Sequence, residues 1–530
     1  MNIKENSLIK FVRNHWIILL ISLFGFIITL IPNFFGYYGF FRDELYYIAC
    51  SKRLAFGYYD HPPFATFLLS IIRLFFGDSI LAVRFLPALV NSLLIFITGV
   101  ITKKSGGKKF AQGIACLSVL ICPFYLMVNS FYSMNSFESL LLTCCVLILI
   151  IIIQEDKNHY WLLWGFITGI GLINKHTFAV FEFAILIGMT FTPLRKYFFD
   201  KYFWSGISIS IVIVLPNVIW QIQNDFISAA YYKDIITYYS TTRPLAFITI
   251  QMIALNPLVF PVFLSGIIFL FLKTEGKPYR VFGWMFLIPF LYFLFMKINR
   301  PDRLAPVYPI LISGGSVMIE LWINKLNKNW IKQFIISILI IGGIISFSLS
   351  LPILPPEMLS GYNRAIGLSN QEIGDEGMRP MSIISQQIYH QMFFDRLGWE
   401  SMAGDVAAVY NKMPDKDKKE AVILAGNYGE ASAIEFYGTR YNLPVVISTH
   451  YNYWLWGFHD ATGDLMISIG VDKKILNALF EKVEESGIIH TCDYCMDNEK
   501  NLPVYICRKI KIPMKELWRI TKPVFRLKTD

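Results

Sequence analysis

Residues 16–35 read WIILLISLFGFIITLIPNFF, a run of twenty residues without a charged side chain. An α-helix rises about 1.5 Å per residue, so a run of this length spans the hydrocarbon core of a bilayer, about 30 Å thick. The run is longer than the core of a signal peptide, and no small-residue cleavage site follows it. We therefore expect a first transmembrane helix that is not cleaved.

Further apolar runs of similar length fill the first two-thirds of the chain. They cover residues 80–102, 110–128, 134–153, 160–174, 177–193, 203–220, 248–272, 281–297, 304–323 and 333–352. The whole chain is 55% hydrophobic and 16% charged, whereas a soluble globular chain carries roughly a quarter charged residues. The pattern predicts an α-helical polytopic membrane protein with about eleven transmembrane helices.

The chain has ordinary polarity from residue 355 onward. Strand-like stretches at 421–425, 444–448, 465–470 and 504–509 alternate there with helix-like stretches at 430–437 and 473–484. Such alternation is typical of a small α/β layer. We expect two domains: a transmembrane domain over residues 1–354, which includes an outer loop at 36–79, and a soluble α/β domain over 355–530.

The net charge of +10 is spread over short loops between the apolar runs. Nucleic-acid binding needs basic residues on one face of a soluble module, so we do not expect it. Lysines and arginines mark cytoplasmic loops. The basic loops at 103–109, 195–201, 273–280 and 325–332 fall on one side if the N-terminus is cytoplasmic. The other side then holds residues 36–79, residues 221–247 and the C-terminal domain.

Two groups in the outer loop are candidates for chemistry. Asp43 is placed to cap an amphipathic helix that runs to about Phe56, and the adjacent Arg42 and Glu44 exceed what a simple cap needs. Asp60 and His61 precede two prolines, which fix an extended backbone and hold both side chains beside Asp43. An ordinary N-cap and a surface turn are the alternatives.

Further candidates lie at the outer ends of helices, where ionisable residues are costly. Asn135 and Glu138 are three residues apart and share one helix face. Lys175, Arg300 and Arg303 lie on the outer side against the charge rule, and such cations are suited to hold a phosphate. Side chains that reach toward the membrane surface are the alternative.

Eight cysteines are present, and four of them lie inside apolar runs. The pair Cys492 and Cys495 lacks a second cysteine pair and a histidine at ligand spacing, which argues against zinc. A structural disulfide or free thiols is the better interpretation.

The outer-loop residues also carry a family resemblance. The stretches RDELYY at 42–47 and LAFGYYDHPP at 54–63 resemble the first outer loop of the family-39 bacterial glycosyltransferases, which have the membrane GT-C architecture. That family includes protein O-mannosyltransferases and the aminoarabinose transferase of lipid A. Weaker matches are SMNSFE at 133–138, GLINK at 171–175, LPN at 215–217 and LAP at 304–306, and AGNYGEA at 425–431 and NYWLWG at 452–457 are similar to one bacterial branch.

The resemblance implies a hexosyl- or pentosyltransferase that uses a polyprenyl-phosphate sugar donor. The acceptor would be a membrane lipid, glycan or protein of the cell envelope, as in lipopolysaccharide biosynthesis. It implies a multi-pass protein of the bacterial cytoplasmic membrane, with the C-terminal domain periplasmic or extracellular. Asp43 matches the catalytic carboxylate, with Glu44 beside it.

The resemblance also bears on three binding residues: Asp60 and His61 match a position that shapes the donor or metal site, and Lys175 matches one suited to the donor phosphate. The full set of residues expected to contact substrate is Arg42, Tyr47, Asp60, His61, Asn135, Glu138, Lys175, Arg300 and Arg303. Whether a divalent metal ion binds at Asp60 and His61 stays open, because the family often has Lys or Gln at the position of His61 and an Asp near the position of Asn135.

Two other functions fit the same sequence. A transporter or flippase of lipid-linked sugars predicts broken helices and charged residues near the bilayer midplane. A non-catalytic envelope-assembly protein would bind glycan through the aromatic-rich residues 451–458.

Overall fold

The computed structural model describes residues 7–239, 244–296, 300–365, 391–490 and 493–521. Helices dominate the first 365 residues. They are Ser7–Leu30, Arg42–Ser51, Phe64–Phe76, Ile80–Lys104, Lys109–Leu120, Pro123–Val128, Met134–Glu155, Tyr160–Leu172, Phe178–Thr190, Lys201–Gln223, Ile227–Tyr239, Pro244–Leu255, Phe260–Leu272, Arg280–Phe295, Tyr308–Leu326, Trp330–Ser350 and Pro356–Ala365.

Seven of the described helices are long and apolar enough to cross a membrane, and the number rises to nine if two bent pairs each count as one span. The bent pairs are Phe178–Thr190 with Pro193–Phe199, at 104°, and Phe247–Leu255 with Phe260–Leu272, at 107°. The other two predicted spans coincide with the shorter helices Lys109–Leu120 and Tyr160–Leu172. The chain is thus a multi-pass membrane protein, with an apolar helix or bent pair at each predicted span.

The lysine-rich loops meet at one end of the helical bundle. Lys104 Nζ lies 3.1 Å from a Glu155 carboxylate oxygen, and Lys196 Nζ lies 2.7 Å from Asp156. Lys104 and Glu155 end the same two helices that carry Arg84 and Glu138 near their first residues, so the candidate site lies at the opposite end. This grouping is what the positive-inside rule requires; the side of the membrane that each end faces stays a prediction.

The outer-loop helix, Arg42–Ser51, differs from the predicted one at both ends. The Phe41 N–H donates to Glu44 Oε2 at 2.8 Å. The carboxylate that accepts a hydrogen bond from the start of this helix is therefore that of Glu44. The predicted cap by Asp43 is therefore wrong, and Asp43 lies inside the first turn. The helix ends at Ser51, well before Phe56, because a turn follows at Lys52 and Arg53.

Residues 391–521, here called the C-terminal region, carry a five-stranded sheet. Its strands are β1 Val422–Ala425, β2 Val446–Ser448, β3 Leu465–Ile469, β4 Phe480–Ile488 and β5 Pro503–Ile510, in the order β2-β1-β3-β5-β4. β1 pairs in parallel with β2 and β3, and β5 is antiparallel to β3 and β4. Its described helices are Gln391–Phe394, Trp399–Asn411, Asp415–Glu420, Tyr428–Tyr437, Asn452–Trp456, Lys473–Leu479 and Met514–Ile520. The predicted α/β alternation is confirmed.

One predicted helix of this region is wrong in its second half. The helix expected over 473–484 ends at Leu479, and residues 480–488 form β4. The segment is rich in Glu and Lys, which favour helices, but pairing along β5 from Phe480 to Ile488 overrides that weak local preference.

The C-terminal region packs directly on the outer loop. Leu45 and Ile48 share one buried apolar cluster with Ala431 and Ile434. The backbone N–H of Arg42 donates to the Asp395 carbonyl oxygen at 3.1 Å, and that of Gly39 donates to the Arg396 carbonyl oxygen at 3.1 Å. These contacts hold the two parts of the chain together at the end of the bundle where the candidate site lies. The predicted boundary between residues 354 and 355 stays a prediction.

Candidate active site

The carboxyl ends of β1 and β2 face the outer loop. In open α/β sheets, side chains that follow parallel strands gather at this edge, where ligands commonly bind. Tyr428 follows β1 at the start of its helix, which Asn427 caps through the Gly429 and Glu430 N–H groups. The residues His450, Tyr451 and Asn452 follow β2.

Asp43 is the partly accessible carboxylate of the outer loop. Its Oδ1 accepts a hydrogen bond of 2.6 Å from the Tyr428 hydroxyl, and its side chain is 38% exposed. Arg42 lies 3.9 Å from the same oxygen and also contacts Asp395 at 3.3 Å. Arg42 is thus shared with Asp395, to which it lies closer, and the exposed part of the Asp43 carboxylate can meet a ligand.

Glu44 has a different environment, although it is the next residue. It is fully buried, and Arg84 donates to it with nitrogen–oxygen distances of 2.6, 2.9 and 3.2 Å. The N–H groups of Phe41 and Tyr132 also donate to it. Both oxygens are used, which is the environment of a structural ion pair.

Asp60 and His61, which the sequence places beside Asp43 by prediction, lie close to each other in the outer loop. Asp60 Oδ1 accepts a hydrogen bond of 2.9 Å from the Tyr46 hydroxyl and lies 3.9 Å from His61 Nε2. Burial raises the pKa of the Asp60 carboxyl, while His61 and the Tyr46 hydrogen bond oppose that rise. Asp43 is close enough to raise it further. The imidazole of His61 stacks on Tyr47 with ring centres 4.7 Å apart.

The donor set for a divalent metal is small at this position. His61 Nδ1 lies 2.9 Å from the Pro62 carbonyl oxygen and must carry the proton to donate to it, which leaves Nε2 as the ligating atom. Over the described ranges, no group of three or more His, Cys, Asp or Glu side chains comes together as a metal site. Asp60 and His61 would supply only two ligands to a divalent cation, and water or a donor phosphate would have to supply the others; no step below is assigned to a metal.

The predicted cations form a second cluster. Lys175 Nζ lies 2.7 Å from Glu138 and 3.1 Å from Asp302, and Arg300 Nε lies 2.9 Å from Asp302. Burial opposes the ionisation of Asp302, but Arg300, Lys175 and Arg303 hold its pKa well below the usual value. Lys175 is therefore shared between two carboxylates.

Arg303 differs from the other two cations. Its side chain is buried, with 5% of the residue exposed, and its Nε has no hydrogen-bond partner among the described residues. Asn135, near the same cluster, has a buried Oδ1 that likewise lacks a partner in the described part of the chain. Both groups offer a hydrogen bond to a ligand.

Two tyrosines of the helix Ile227–Tyr239 lie near both Asp60 of the outer loop and the cations. Tyr232 is within electrostatic range of Arg303, Glu138 and Asp60, and Tyr231 is within range of Asp60 and Arg300. Their rings are 5.4 Å apart. No signal in the sequence points to this pair, because what the two side chains contact depends on where their helix lies.

His176 borders the cation cluster. Its Nδ1 lies 3.2 Å from the Tyr232 hydroxyl, and its Nε2 lies 3.4 Å from Asn217 Oδ1. Burial lowers the pKa of His176 to about 4. The imidazole is therefore neutral near pH 7 and adds no charge to the cluster.

This fold is that of the GT-C membrane glycosyltransferases. The chain superposes on ArnT from Cupriavidus metallidurans, solved in the apo state and bound to undecaprenyl phosphate, with a TM-score of 0.56 and 12% identity over 92% of this chain and 97% of ArnT. It also superposes on the oligosaccharyltransferase of Archaeoglobus fulgidus in complex with Zn and sulfate. There the TM-score is 0.51 with 14% identity, over 96% of this chain and 76% of the other.

Sequence comparison leads to the same group. Residues 60–220 match the family described as dolichyl-phosphate-mannose-protein mannosyltransferase. Over 196 residues the chain is 28% identical to the lipopolysaccharide core galacturonosyltransferase RgtB of Rhizobium johnstonii. That match covers 35% of this chain and spans only 38% of the relative's length. The predicted resemblance to membrane glycosyltransferases of the GT-C architecture is confirmed.

Proposed function

We propose that the protein transfers a hexosyl or pentosyl unit from a polyprenyl-phosphate-linked donor to a lipid, glycan or protein acceptor. The reaction would take place at the outer face of the bacterial cytoplasmic membrane. One observation carries the proposal: Tyr231 and Tyr232 are within electrostatic range of the outer-loop acid Asp60 and of the cations Arg300 and Arg303, and Asp60 is in turn within range of Asp43.

The donor phosphate fits best beside Arg303. Three cations, Lys175, Arg300 and Arg303, face two carboxylates, Glu138 and Asp302, so the cluster keeps one net positive charge. Lys175 and Arg300 are engaged by these carboxylates, while Arg303 keeps an unsatisfied buried donor. A guanidinium is well suited to hold a phosphate, because its donors match the oxygens of the anion.

The chemistry then falls to Asp43. An acceptor hydroxyl loses its proton to this carboxylate as its oxygen bonds to the anomeric carbon of the sugar. The bond between that carbon and the phosphate oxygen breaks, and polyprenyl phosphate leaves with its charge balanced by the cluster. If the acceptor is already an anion, Asp43 positions it and takes no proton.

The resemblance to ArnT and RgtB supports a lipid-linked donor, since one ArnT structure holds undecaprenyl phosphate. Cys495 is disulfide-bonded, which supports an oxidising compartment for the C-terminal region. Cys492 lies outside the described residues.

A transporter of lipid-linked sugars is the second candidate, and two observations favour it. Two candidate spans are bent by more than 100°. Glu182 lies within one of them, and its carboxylate is buried beside Thr168 and Cys145. Against transport, the other charged candidates gather at one end of the bundle rather than near the midplane.

Reconstitution separates the two functions. The protein is placed in proteoliposomes that contain polyprenyl-phosphate-linked sugars and an extract of envelope acceptors. A transferase yields an acceptor heavier by one sugar residue, together with free polyprenyl phosphate, by mass spectrometry. Movement of the intact lipid across the bilayer, with no covalent change, would support transport and contradict the proposal.

A further inference from the structure

We infer that the carboxyl edge of the C-terminal sheet is part of the active site, where Tyr428 and Asn452 position the two accessible carboxylates of the outer loop. The inference rests on the proposed function, because it takes Asp43 and Asp60 as parts of that reaction. Tyr428 and Asn452 act through these acids and are positioning residues.

The first contact joins Tyr428 to Asp43. The tyrosine hydroxyl donates to Asp43 Oδ1 at 2.6 Å. The ring is buried and stacks on Tyr451, with ring centres 4.9 Å apart and planes 12° from parallel, and the Arg42 guanidinium lies 5.1 Å from its centre on the ring face. A ring held on two sides directs its hydroxyl to one oxygen of Asp43, which leaves the other oxygen for an acceptor.

The second contact runs through Asn452 and Tyr46 to Asp60. The Asn452 side-chain carbonyl accepts from the Tyr59 N–H at 2.9 Å. Because that backbone group can only donate, the orientation of the amide is fixed, and its NH₂ group donates to the Tyr46 oxygen at 2.5 Å. The Tyr46 hydroxyl in turn donates to Asp60 Oδ1 at 2.9 Å. One buried amide thus fixes both the hydroxyl that holds Asp60 and the backbone next to it.

The turn that immediately precedes Asn452 is strained. Tyr451 has φ of 53° and ψ of −132°, a combination that non-glycine residues rarely adopt. Such a conformation persists only where the surroundings enforce it, and it gathers at functional sites. Here the Tyr451 ring packs between the rings of Tyr428 and Tyr59, and its centre lies 5.2 Å from that of Tyr59. The strained turn directs Asn452 toward the outer loop.

These contacts are not needed merely to attach the C-terminal region. Arg53 Nη1 donates to both carboxylate oxygens of Glu435 at 2.9 and 3.1 Å. Arg42 contacts Asp395, and a shared apolar cluster lies beneath them. We expect this interface to remain when the Tyr428 hydroxyl is removed. Attachment of the C-terminal region therefore does not explain why this hydroxyl is directed toward Asp43.

The test compares two isosteric changes in the full-length protein in proteoliposomes. Tyr428→Phe removes the hydrogen bond to Asp43. Tyr453→Phe is the matched control, because it removes a 2.8 Å bond from a tyrosine hydroxyl to Glu435 within the same interface. We expect Tyr428→Phe to lower kcat for transfer about 10- to 100-fold, with KM for the lipid donor within about twofold. Tyr453→Phe should change kcat less than about twofold.

Tyr46→Phe tests the second contact in the same assay, with the same expected change in kcat and the same unchanged KM. Equal kcat values for Tyr428→Phe, Tyr453→Phe and an active wild type would overturn the inference while leaving the proposed function intact. A loss that appears in KM or in the melting temperature instead of kcat would make the contact structural and also overturn it. A wild type that transfers no sugar would instead refute the proposed function.

Discussion

The charged side chains on the two sides of the candidate site differ in whether an opposite charge neutralises them. On the outer-loop side, Asp43 and Asp60 each accept a hydrogen bond from a tyrosine hydroxyl and keep partial exposure. On the cation side, Lys175 and Arg300 are paired with buried carboxylates. The outer-loop acids are held by neutral groups and stay available, whereas most of the cations are neutralised. Burial and pairing, more than residue type, decide which charges can meet a substrate.

The same contrast separates two neighbours in the outer loop. Asp43 and Glu44 are adjacent in one helix, so their side chains point about 100° apart. Asp43 faces Tyr428 and solvent, while Glu44 faces Arg84 and the protein interior. We therefore propose that Asp43 performs the chemistry and that Glu44, expected from the sequence to be catalytic with it, has a structural role.

The largest expected effect is on folding. Arg84→Met leaves the Glu44 carboxylate buried without its cation, which costs about 3–5 kcal/mol. We expect poor accumulation in membranes and a strongly lowered melting temperature in detergent. The double variant Arg84→Met with Glu44→Leu should recover part of that loss, because no charge remains buried. Arg84→Met protein that melts like wild type would remove the distinction between Glu44 and Asp43.

The cation side is tested by two single changes. Arg303→Gln should weaken binding of polyprenyl phosphate, without its sugar, about 10- to 100-fold, which is the loss of a charge-assisted hydrogen bond. Its melting temperature should stay near that of wild type. Lys175→Gln should mainly lower the melting temperature, because Glu138 and Asp302 lose the cation they share. The reverse outcome, with Lys175 as the phosphate ligand, would contradict the assignment.

A smaller effect is expected at His176, which borders the cations as a neutral group. Its pKa is about 4 in the folded protein and about 6.5 in an unfolded chain. Between these values the unfolded state binds more protons, so stability is complete above pH 6.5 and falls as the pH drops toward 4. His176→Gln should reduce this loss by about 1–3 kcal/mol, measured as melting temperature against pH. The control His490→Gln, at a histidine whose side chain is 81% exposed, should leave the loss of stability between pH 6.5 and pH 4 unchanged. The same dependence of melting temperature on pH in both variants would contradict the burial of His176.

Much of the fold could be predicted because hydropathy is a local property. The expected spans at 80–102 and 134–153 correspond to Ile80–Lys104 and Met134–Glu155. The sharp bends near residues 191 and 257 were not predicted, although Pro193 and Pro257 lie at the breaks, because hydropathy alone does not register a proline within an apolar run. Strand β4 was missed because its pairing with β5 outweighs local helix preference.

The residues of the site could be predicted by type, but their partners could not. Asp43 and Tyr428 are 385 positions apart, and Asn452 lies 406 positions from Tyr46. A single sequence contains no periodicity that links such positions. The aromatic stretch at 451–458 was visible, yet only the packed structure brings Tyr451 and Asn452 to the outer loop.

We propose that Asp43 performs the transfer, and replacement of its carboxylate by an amide tests this role. Asp43→Asn keeps the size of the side chain and can still accept the Tyr428 hydroxyl, but it cannot take a proton. In proteoliposomes with a lipid-linked sugar and a hydroxyl acceptor, we predict a loss of about 10²- to 10⁴-fold in the transfer rate. Donor binding and melting temperature should stay near wild type. Full transfer by the Asp43→Asn protein would contradict the account.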